Sequence, residues 1–360
     1  MSKRPSSGSN NGRRPTIADI ARLCGVTAAT VSRVLNNTEN FSTSAEMRQK
    51  IRDTAQKLGY VPDLGARNLS LRNSRVIGLF ASPHTHIGEG INEALIEGIT
   101  ETLHGNGYDV FYGLSRRRRT KNPVPFWRFD GAVLMQAPRP EIIAELDTRR
   151  VPYVCVNERL GHPAASVMAD DVSGMKAIVS HLTDLSHETI AYANAPSNYF
   201  THYSVEERHN TLVEMAKAQN LKLIEGHENP FHAHSPATFV RKMVIEGGAT
   251  AVIAYDHQIA FMLLGAANGM GLRIPQDFSL ICFNDVFPMS IIYPPLTTIQ
   301  VPGREMGRLA AEILLSDLAS PKPLTPREVR VPEYLIIRGS TDSPFPISRP
   351  QAGPASAGRR

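Results

Sequence analysis

The chain has 360 residues, enough for two or three domains, and its 42% hydrophobic and 7% aromatic residues are typical of a soluble α/β protein. It shows no secretory segment and no apolar run of about 18 residues, which argues against export and a membrane span. The net charge of +5 is unevenly spread, because residues 1–75 hold 13 Lys and Arg against 5 Asp and Glu, whereas the remainder holds 26 against 29. This asymmetry predicts a basic N-terminal module suited to DNA phosphates, joined to a nearly neutral body.

The two ends of the chain are rich in Ser, Gly, Pro and Arg. Residues 1–14 are therefore predicted to form a disordered basic tail, and residues 341–360 a second disordered tail. The cysteines lie far apart in apolar contexts, at Cys24, Cys155 and Cys282. We interpret them as small core residues in a reducing cytoplasm, not as a zinc set or disulfides. No cofactor is expected.

A helix-turn-helix domain is predicted over residues 15–61. Thr16 can cap a first helix with Asp19 as the reciprocal acceptor, and Gly25 permits the sharp turn that follows. Thr27 can cap the second helix, and Thr43 the third. The second helix leaves small and polar residues at its early and outer positions: Ala28, Ala29, Thr30, Ser32, Arg33 and Asn36. Because a recognition helix reads base edges with such positions, the pattern indicates sequence-specific DNA binding.

The residue types of the second helix predict different roles on DNA. Arg33 is the best base reader, with guanine O6 and N7 as its expected target. Ala28 and Ala29 carry only methyl groups, which can contact a thymine methyl but cannot form a bidentate pair. The remaining polar residues are expected to hold phosphates and set the register, namely Thr16, Thr27, Thr30, Ser32, Asn36 and Tyr60.

The body, residues 75–340, alternates short apolar runs with amphipathic stretches. The predicted strands are Val76–Phe80, Val110–Tyr112, Ala132–Met135, Tyr153–Val156, Ile190–Ala193, Ala251–Ala254 and Leu280–Phe283. The predicted helices are Gly90–His104, Ser173–Leu185, Glu206–Gln219, Pro236–Glu246, Gln258–Gly269 and Arg304–Leu318. Such alternation implies parallel sheets covered on both faces, and the length favours two doubly wound lobes over one.

Polar residues follow several of the predicted strands, including the short run Ser166–Met168. Ligands of doubly wound folds bind beyond the carboxyl ends of the strands, so these residues are candidates for a cleft between the lobes. They are Ser82, His84, His86, Asn157, Glu158, Asp170, Asp171, Tyr255, Asp256, Asn284 and Asp285. Several such groups converging on one cleft suit a hydroxyl-rich small molecule.

Three segments carry a resemblance to a known family. They are TVSRVLN at residues 30–36, GYVPD at 59–63 followed by ARNL at 66–69, and PPLTTI at 294–299. With these segments the chain resembles the lac repressor/galactose repressor (LacI/GalR) family of bacterial transcription factors from about Thr16 to Gly339. The resemblance implies a periplasmic-binding-protein-like core and a homodimer that binds a pseudo-palindromic operator in the bacterial nucleoid.

The resemblance also implies particular roles for individual residues. A hinge helix is expected over residues 62–74, with Ala66 and Leu69 at the DNA and Leu69 wedged into the minor groove. An effector, most commonly a sugar or sugar derivative, is expected to bind between the lobes and to control operator affinity. The residues expected to hold it are Ser82, His86, Asn157, Arg208, Asp256 and Asn284.

Three alternatives remain open at this point. The pairs His84/His86 and His232/His234 could chelate a metal on a strand, but no third ligand and no nucleotide or hydrolase motif accompanies them, so no enzymatic activity is expected. DNA binding of an architectural kind, without an effector, is the main rival. The run Arg116–Arg119 is either a solvated loop or an anion contact. The sequence leaves open the effector, which could be a purine, and whether it releases or enables DNA binding.

Overall fold

The computed structural model describes residues 15–36, 41–60, 74–81, 90–114, 129–136, 140–159, 164–195, 202–225, 235–320 and 327–344. The chain divides into two compact units, Met1–Ser74 and Arg75–Arg360. Among the described residues, no helix combines the length and the apolar character that a membrane crossing needs. The same residues contain no group of three or more metal-ligating side chains placed to hold an ion. All three cysteines are buried and unbridged.

The first unit contains three helices, α1 (Ile17–Cys24), α2 (Ala28–Leu35) and α3 (Ala45–Leu58). The predicted capping box forms, since the Asp19 amide lies 3.4 Å from the Thr16 hydroxyl oxygen and the Thr16 amide donates to the Asp19 carboxylate at 3.0 Å. Gly25 ends α1 with φ = 75°, a conformation that costs glycine little. The core of this unit is formed by buried apolar side chains at helical spacing: Ile20, Ala21, Cys24, Val31, Val34, Ile51 and Ala55.

The predicted cap of the third helix was misplaced by one residue. The Ser44 hydroxyl, not that of Thr43, accepts the hydrogen bond from the Met47 amide, at 3.2 Å. Both residues are good caps, and the local sequence does not separate them, because the start of the helix depends on which turn packs against α1 and α2.

The second unit contains two six-stranded sheets, which define two lobes. The strands are β1 (Val76–Ala81), β2 (Asp109–Leu114), β3 (Gly131–Met135), β4 (Tyr153–Val156), β5 (Ala165–Ala169), β6 (Thr189–Ala193), β7 (Lys222–Glu225), β8 (Ala251–Ala254), β9 (Ser279–Phe283), β10 (Thr297–Gln300), β11 (Glu328–Val331) and β12 (Tyr334–Ile336). Lobe one has the parallel order β11-β5-β4-β3-β1-β2. Lobe two has the order β12-β10-β9-β8-β6-β7, in which only β12 is antiparallel to its neighbour. The predicted class, a helical head with two α/β lobes, is confirmed.

Helices connect the strands and cover the sheets. They are α4 (Gly90–Gly105), α5 (Pro140–Arg149), α6 (Asp171–Asp184), α7 (Tyr203–Ala218), α8 (Ser235–Val240, continued by a π-helical turn at Arg241–Glu246), α9 (His257–Gly269) and α10 (Gly303–Ala319). Each predicted helix is present within about three residues at either end. The run Ser166–Met168 lies within β5, as predicted. The π turn was not predicted, and the predictions omitted α5, β7, β10, β11 and β12.

Within the described residues the chain crosses three times between the lobes. The first crossing segment is Asp170, between β5 of lobe one and α6, which packs against β12 of lobe two. The second is Val301–Pro302, between β10 and α10, and the third is Pro332–Glu333, between β11 and β12. The Asp170 amide donates to the Val331 carbonyl at 2.9 Å, so the first and third crossings lie side by side.

The first two residues of the predicted C-terminal tail, Thr341 and Asp342, are bonded into lobe two. The Thr341 hydroxyl lies 2.9 Å from Nε2 of His181, and the Asp342 carbonyl lies 3.0 Å from both the His187 ring and the Ser279 hydroxyl. These bonds place both residues in the polar network of lobe two. The polar composition that suggested disorder is here used to satisfy buried groups.

Candidate functional site

Helix α2 presents the predicted base-reading side chains at the surface of the first unit. Ala28, Ala29 and Arg33 are all exposed. The Arg33 guanidinium carbon lies 5.2 Å from the centroid of the Phe41 ring, which orients the long side chain without covering its donors. The exposed face of α2 therefore combines two methyl groups with one cation.

Several of the polar residues expected to contact phosphates form hydrogen bonds within the first unit. The Thr27 hydroxyl accepts from the Thr30 amide at 3.2 Å and lies 2.9 Å from the Thr30 hydroxyl. The Asn36 amide donates to the Ser32 hydroxyl at 3.3 Å, and the Thr16 hydroxyl donates to Asp19 at 2.7 Å. These bonds fix the ends of α1 and α2. Their contacts with phosphate, and that of the half-buried Tyr60, stay predictions.

Five of the predicted features lie outside the described residues. They are Ala66 and Leu69 of the hinge, Ser82 and His86 of the effector set, and the run Arg116–Arg119. The histidine pairs that suggested a metal, at positions 84/86 and 232/234, also lie there.

Arg208 is the centre of a cluster of polar groups where the two lobes meet. It lies on α7 and is only 5% exposed. Its Nε donates to the Asp171 carboxylate at 2.5 Å and its Nη1 to the Tyr255 carbonyl at 2.8 Å. The guanidinium carbon lies 3.7 Å from the centroid of the Phe283 ring. Burial by itself would lower the pKa of Arg208, but the Asp171 carboxylate raises it overall, so the side chain is cationic.

Asp171 and Tyr255 join Arg208 at the carboxyl ends of β5 and β8. Both were recognised as residues that follow strands but were not included in the predicted effector set. The Tyr255 hydroxyl shares a hydrogen bond of 2.7 Å with the Ser204 hydroxyl, and burial raises the pKa of Tyr255 to about 12. The signal that could have identified them is their position after the carboxyl ends of β5 and β8. These strands belong to different sheets, so a sequence brings the two residues together only once the arrangement of the lobes is known.

Asp256 has a structural role in this arrangement. Its carboxylate caps α9 by accepting from the Ile259 amide at 2.9 Å. Burial raises the pKa of this carboxyl, and the amide bond opposes that effect. The structure therefore uses at least one oxygen of Asp256 to begin a helix, and its contact with an effector stays a prediction.

Asn157 and Asn284 occupy turns directly after strands. Their φ values of 56° and 75° are left-handed, a conformation that asparagine tolerates better than most residues. The Asn157 carbonyl accepts from the His202 ring at 3.0 Å, and its side-chain oxygen lies 3.4 Å from the Tyr203 hydroxyl. The Asn284 amide lies 3.3 Å from the His257 ring. Both asparagines thus lie at strand ends, as predicted.

A network of ion pairs joins the lobes next to Arg208. Glu207 of α7, in lobe two, lies 2.7 Å from Arg159 and 2.7 Å from Arg330, which follow β4 and lie on β11 in lobe one. Glu328 completes the network with both arginines. Two neighbouring residues of α7 therefore form different ion pairs: Arg208 forms a buried pair with Asp171, and Glu207 forms half-buried pairs with lobe one.

Comparisons with known proteins agree with this geometry. Residues 16–63 match the family described as bacterial regulatory proteins, lacI family, and residues 179–341 match a periplasmic binding protein-like domain. A probable transcriptional repressor, ExuR, of Bacillus subtilis is 25% identical over 334 residues, covering 89% of this chain and 97% of its own. The ribose operon repressor of the same organism is 27% identical, covering 91% and 98%. The crystal structure of the lac repressor dimer bound to operator and the anti-inducer ONPF superposes with a TM-score of 0.77 at 24% identity, covering 92% and 100%.

Proposed function

The chain belongs to the LacI family of bacterial regulatory proteins, and from this premise we propose that it is an operator-binding transcriptional repressor controlled by a small-molecule effector. The observation that carries the proposal is the exposed face of α2, with Ala28, Ala29 and Arg33 on a capped helix of a strongly basic unit. Such a helix fits the major groove of B-DNA. We expect the protein to act in the bacterial cytoplasm at the nucleoid, without enzymatic activity.

The effector is proposed to be a sugar or sugar derivative bound between the lobes. The described cleft offers the Arg208 guanidinium, the paired hydroxyls of Ser204 and Tyr255, and the asparagines that follow β4 and β9. A polyol supplies the donors and acceptors that such groups need. The name of the ribose operon repressor supports this class. Asn157, Arg208 and Asn284 are its proposed contacts, with Ser82, His86 and Asp256 as further candidates.

The experiment that tests the proposal is selection of bound sites from a random DNA pool by the full-length protein at near-physiological salt. Enrichment of a pseudo-palindrome with a central CG step is expected for a dimer that reads two half-sites and bends the centre. Binding without any enriched sequence would mean that the basic unit supplies affinity alone. The architectural function would then replace the proposed one.

Arg33→Ala is expected to weaken binding to the selected site by about 1–3 kcal/mol and to relax specificity at one base pair of each half-site. The reason is the loss of a bidentate contact with guanine. The same selection, repeated with the variant, measures both effects. Arg22→Ala is the matched control, because Arg22 is 78% exposed, lies on α1 and is paired with Asp19. A loss that is uniform over all sequences would instead assign Arg33 to a phosphate.

The homodimer is proposed to use apolar side chains of lobe two. Phe261 of α9 is 53% exposed, and Phe287, Ile291 and Tyr293, between β9 and β10, are 81%, 69% and 90% exposed. Three large apolar side chains exposed to this extent within residues 287–293 are typical of a protein interface. The structurally similar lac repressor is a dimer, which supports a second copy of this chain as the occupant.

Replacing Phe287 and Tyr293 together with serine is expected to convert the dimer to monomer at micromolar concentration, because apolar area no longer leaves water on association. Sedimentation velocity measures the change, and the operator affinity should fall with it. Val213→Ser, at an exposed apolar residue of α7, is the control that should remain dimeric. A double variant that sediments as a dimer would place the interface elsewhere.

A further inference from the structure

Two buried carboxyl groups lie where the chain crosses between the lobes. Asp171 follows the first crossing segment and begins α6, and Glu333 belongs to the third, between β11 and β12. Asp171 is 0% and Glu333 8% exposed. The crossing segments must turn when the lobes move relative to one another. These carboxyl groups therefore lie at the interlobe hinge, which is distinct from the predicted hinge helix of residues 62–74.

Glu333 is buried and has no hydrogen-bond partner among the described residues. Within that part of the chain, neither of its carboxyl oxygens is paired, and the second oxygen of Asp171 is also unpaired. A Cβ placed on Gly174 of α6 would overlap the Glu333 carboxyl, and it would lie 3.1 Å from the Phe283 ring. Glu333 therefore lies directly against the helix backbone, in a space that exists because residue 174 is glycine.

The charges around Glu333 are not balanced by cations. The groups that face it are Asp170 and Asp171 at the start of α6, and Tyr203, Glu207 and Arg208 on α7. Arg208 is bonded to Asp171. Glu207 is bonded to Arg159 and Arg330. Among the described residues, the nearby arginines are thus engaged by other carboxylates.

Burial raises the pKa of Glu333 well above its usual range, and the Asp171 charge adds to this, whereas Arg208 opposes it. Burial also raises the pKa of Asp171, but Arg208 at 2.5 Å holds that group in an ion pair. An uncompensated buried carboxylate is unstable and takes up a proton instead. Of the two carboxyl groups, Asp171 is bonded to a cation, whereas Glu333 is bonded to none among the described residues.

We propose that Glu333 is a proton switch on the interlobe hinge, holding a proton in the lobe arrangement seen here and releasing it to water when rotation about the crossing segments exposes it. The arrangement seen here is then favoured as pH falls and lost as pH rises through the titration of the buried group. The consequence for gene regulation rests on the proposed function, since operator affinity would follow pH only if lobe movement carries the effector signal.

The test measures the lobes directly and needs neither DNA nor effector, so its outcome is independent of the operator selection. Ala144→Cys on α5 and Ala218→Cys on α7 place nitroxide labels at exposed positions of lobe one and lobe two. The three native cysteines are buried. Electron–electron resonance distances are then recorded on the full chain from about pH 5.5 to about pH 8.5.

The ratio of the two distance populations is expected to change with pH by up to about tenfold per pH unit, the limit for one proton. Glu333→Gln, which is neutral throughout, should keep the low-pH distances at high pH. Glu312→Gln, at an exposed pair on α10, should behave as wild type. Distances that do not depend on pH in wild type, or that depend on it equally in Glu333→Gln, overturn the proposal.

A second measurement covers the case in which Glu333→Gln does not fold. Infrared spectra of the wild-type chain follow the protonated carboxyl band across the same pH range. Loss of that band in parallel with the distance change supports the proposal. A distance change without loss of a carboxyl band overturns it.

Discussion

Replacing Arg208 with methionine is expected to lower the free energy of unfolding of the second unit by about 3–5 kcal/mol. Methionine can fill much of the space, but it leaves the Asp171 carboxylate, whose side chain is 1% exposed, without its cation. The substitution also removes the bond to the Tyr255 carbonyl and the stacking on Phe283 at 3.7 Å. An uncompensated charge in a buried site costs more than the contacts themselves.

Urea unfolding measures this loss, and two controls separate its causes. Arg273→Met removes an exposed pair with Asp277, in which the arginine side chain is 66% exposed, and should cost less than about 1 kcal/mol. The double variant Arg208→Met/Asp171→Leu should recover most of the stability, because a buried pair replaced by apolar side chains of similar volume leaves no charge behind. A loss below about 1 kcal/mol for Arg208→Met alone would show that Asp171 is neutral in the native protein.

The double variant Arg208→Met/Asp171→Leu also tests whether Arg208 binds the effector. If it does, this variant should be stable and yet lose effector affinity by more than about tenfold, a difference of about 1.4 kcal/mol. Once an effector has been identified, its affinity for the double variant is compared with that for wild type by calorimetry. Equal affinities would assign Arg208 to the structure of lobe two only.

Gly307→Ala is expected to destabilise the second unit by about 3 kcal/mol, at the upper end for overpacking. Gly307 of α10 faces α4, and a Cβ there would overlap the carbonyl oxygen of Leu95 and lie 3.0 Å from the Ile99 amide. On the other helix, a Cβ at Gly98 would overlap the Arg304 carbonyl. Since the obstacles are backbone atoms, the two helices must separate to admit even one methyl group.

Gly265→Ala is the matched control for the helix substitution. Gly265 lies within α9, and a Cβ there would meet no atom within 4 Å. Alanine is favoured over glycine inside a helix, so this variant should be more stable by about 0.5–1 kcal/mol. Thermal or urea unfolding measures the change in the free energy of unfolding for both variants. Similar stabilities for the two would mean that α4 and α10 are less closely packed than the structure shows.

The sequence determined the helical head and indicated its partner, because both depend on local features. A capping box joins residues three apart, and Gly25 ends α1 through its own backbone freedom. Apolar residues at helical spacing predicted the three-helix core. The concentration of 13 basic residues in the first 75 indicated nucleic acid without any knowledge of the fold. The strongly apolar strands of the two sheets could also be predicted, because a strand that is buried on both faces has a continuous apolar sequence.

The tertiary structure decided which polar groups meet where the lobes join. Asp171 and Arg208 are 37 residues apart and pair only because α6 and α7 lie together in lobe two. Asp256 was predicted to bind the effector, and the structure shows that it caps α9. No feature of the sequence singled out Glu333, which is buried only because the chain crosses between the lobes beside Gly174.

The edge strands β7, β11 and β12 were omitted because short, partly exposed strands depend on a neighbouring strand for their hydrogen bonds. Periodicity and capping are properties of neighbouring residues, whereas the partner of a buried charge is chosen by packing between distant segments.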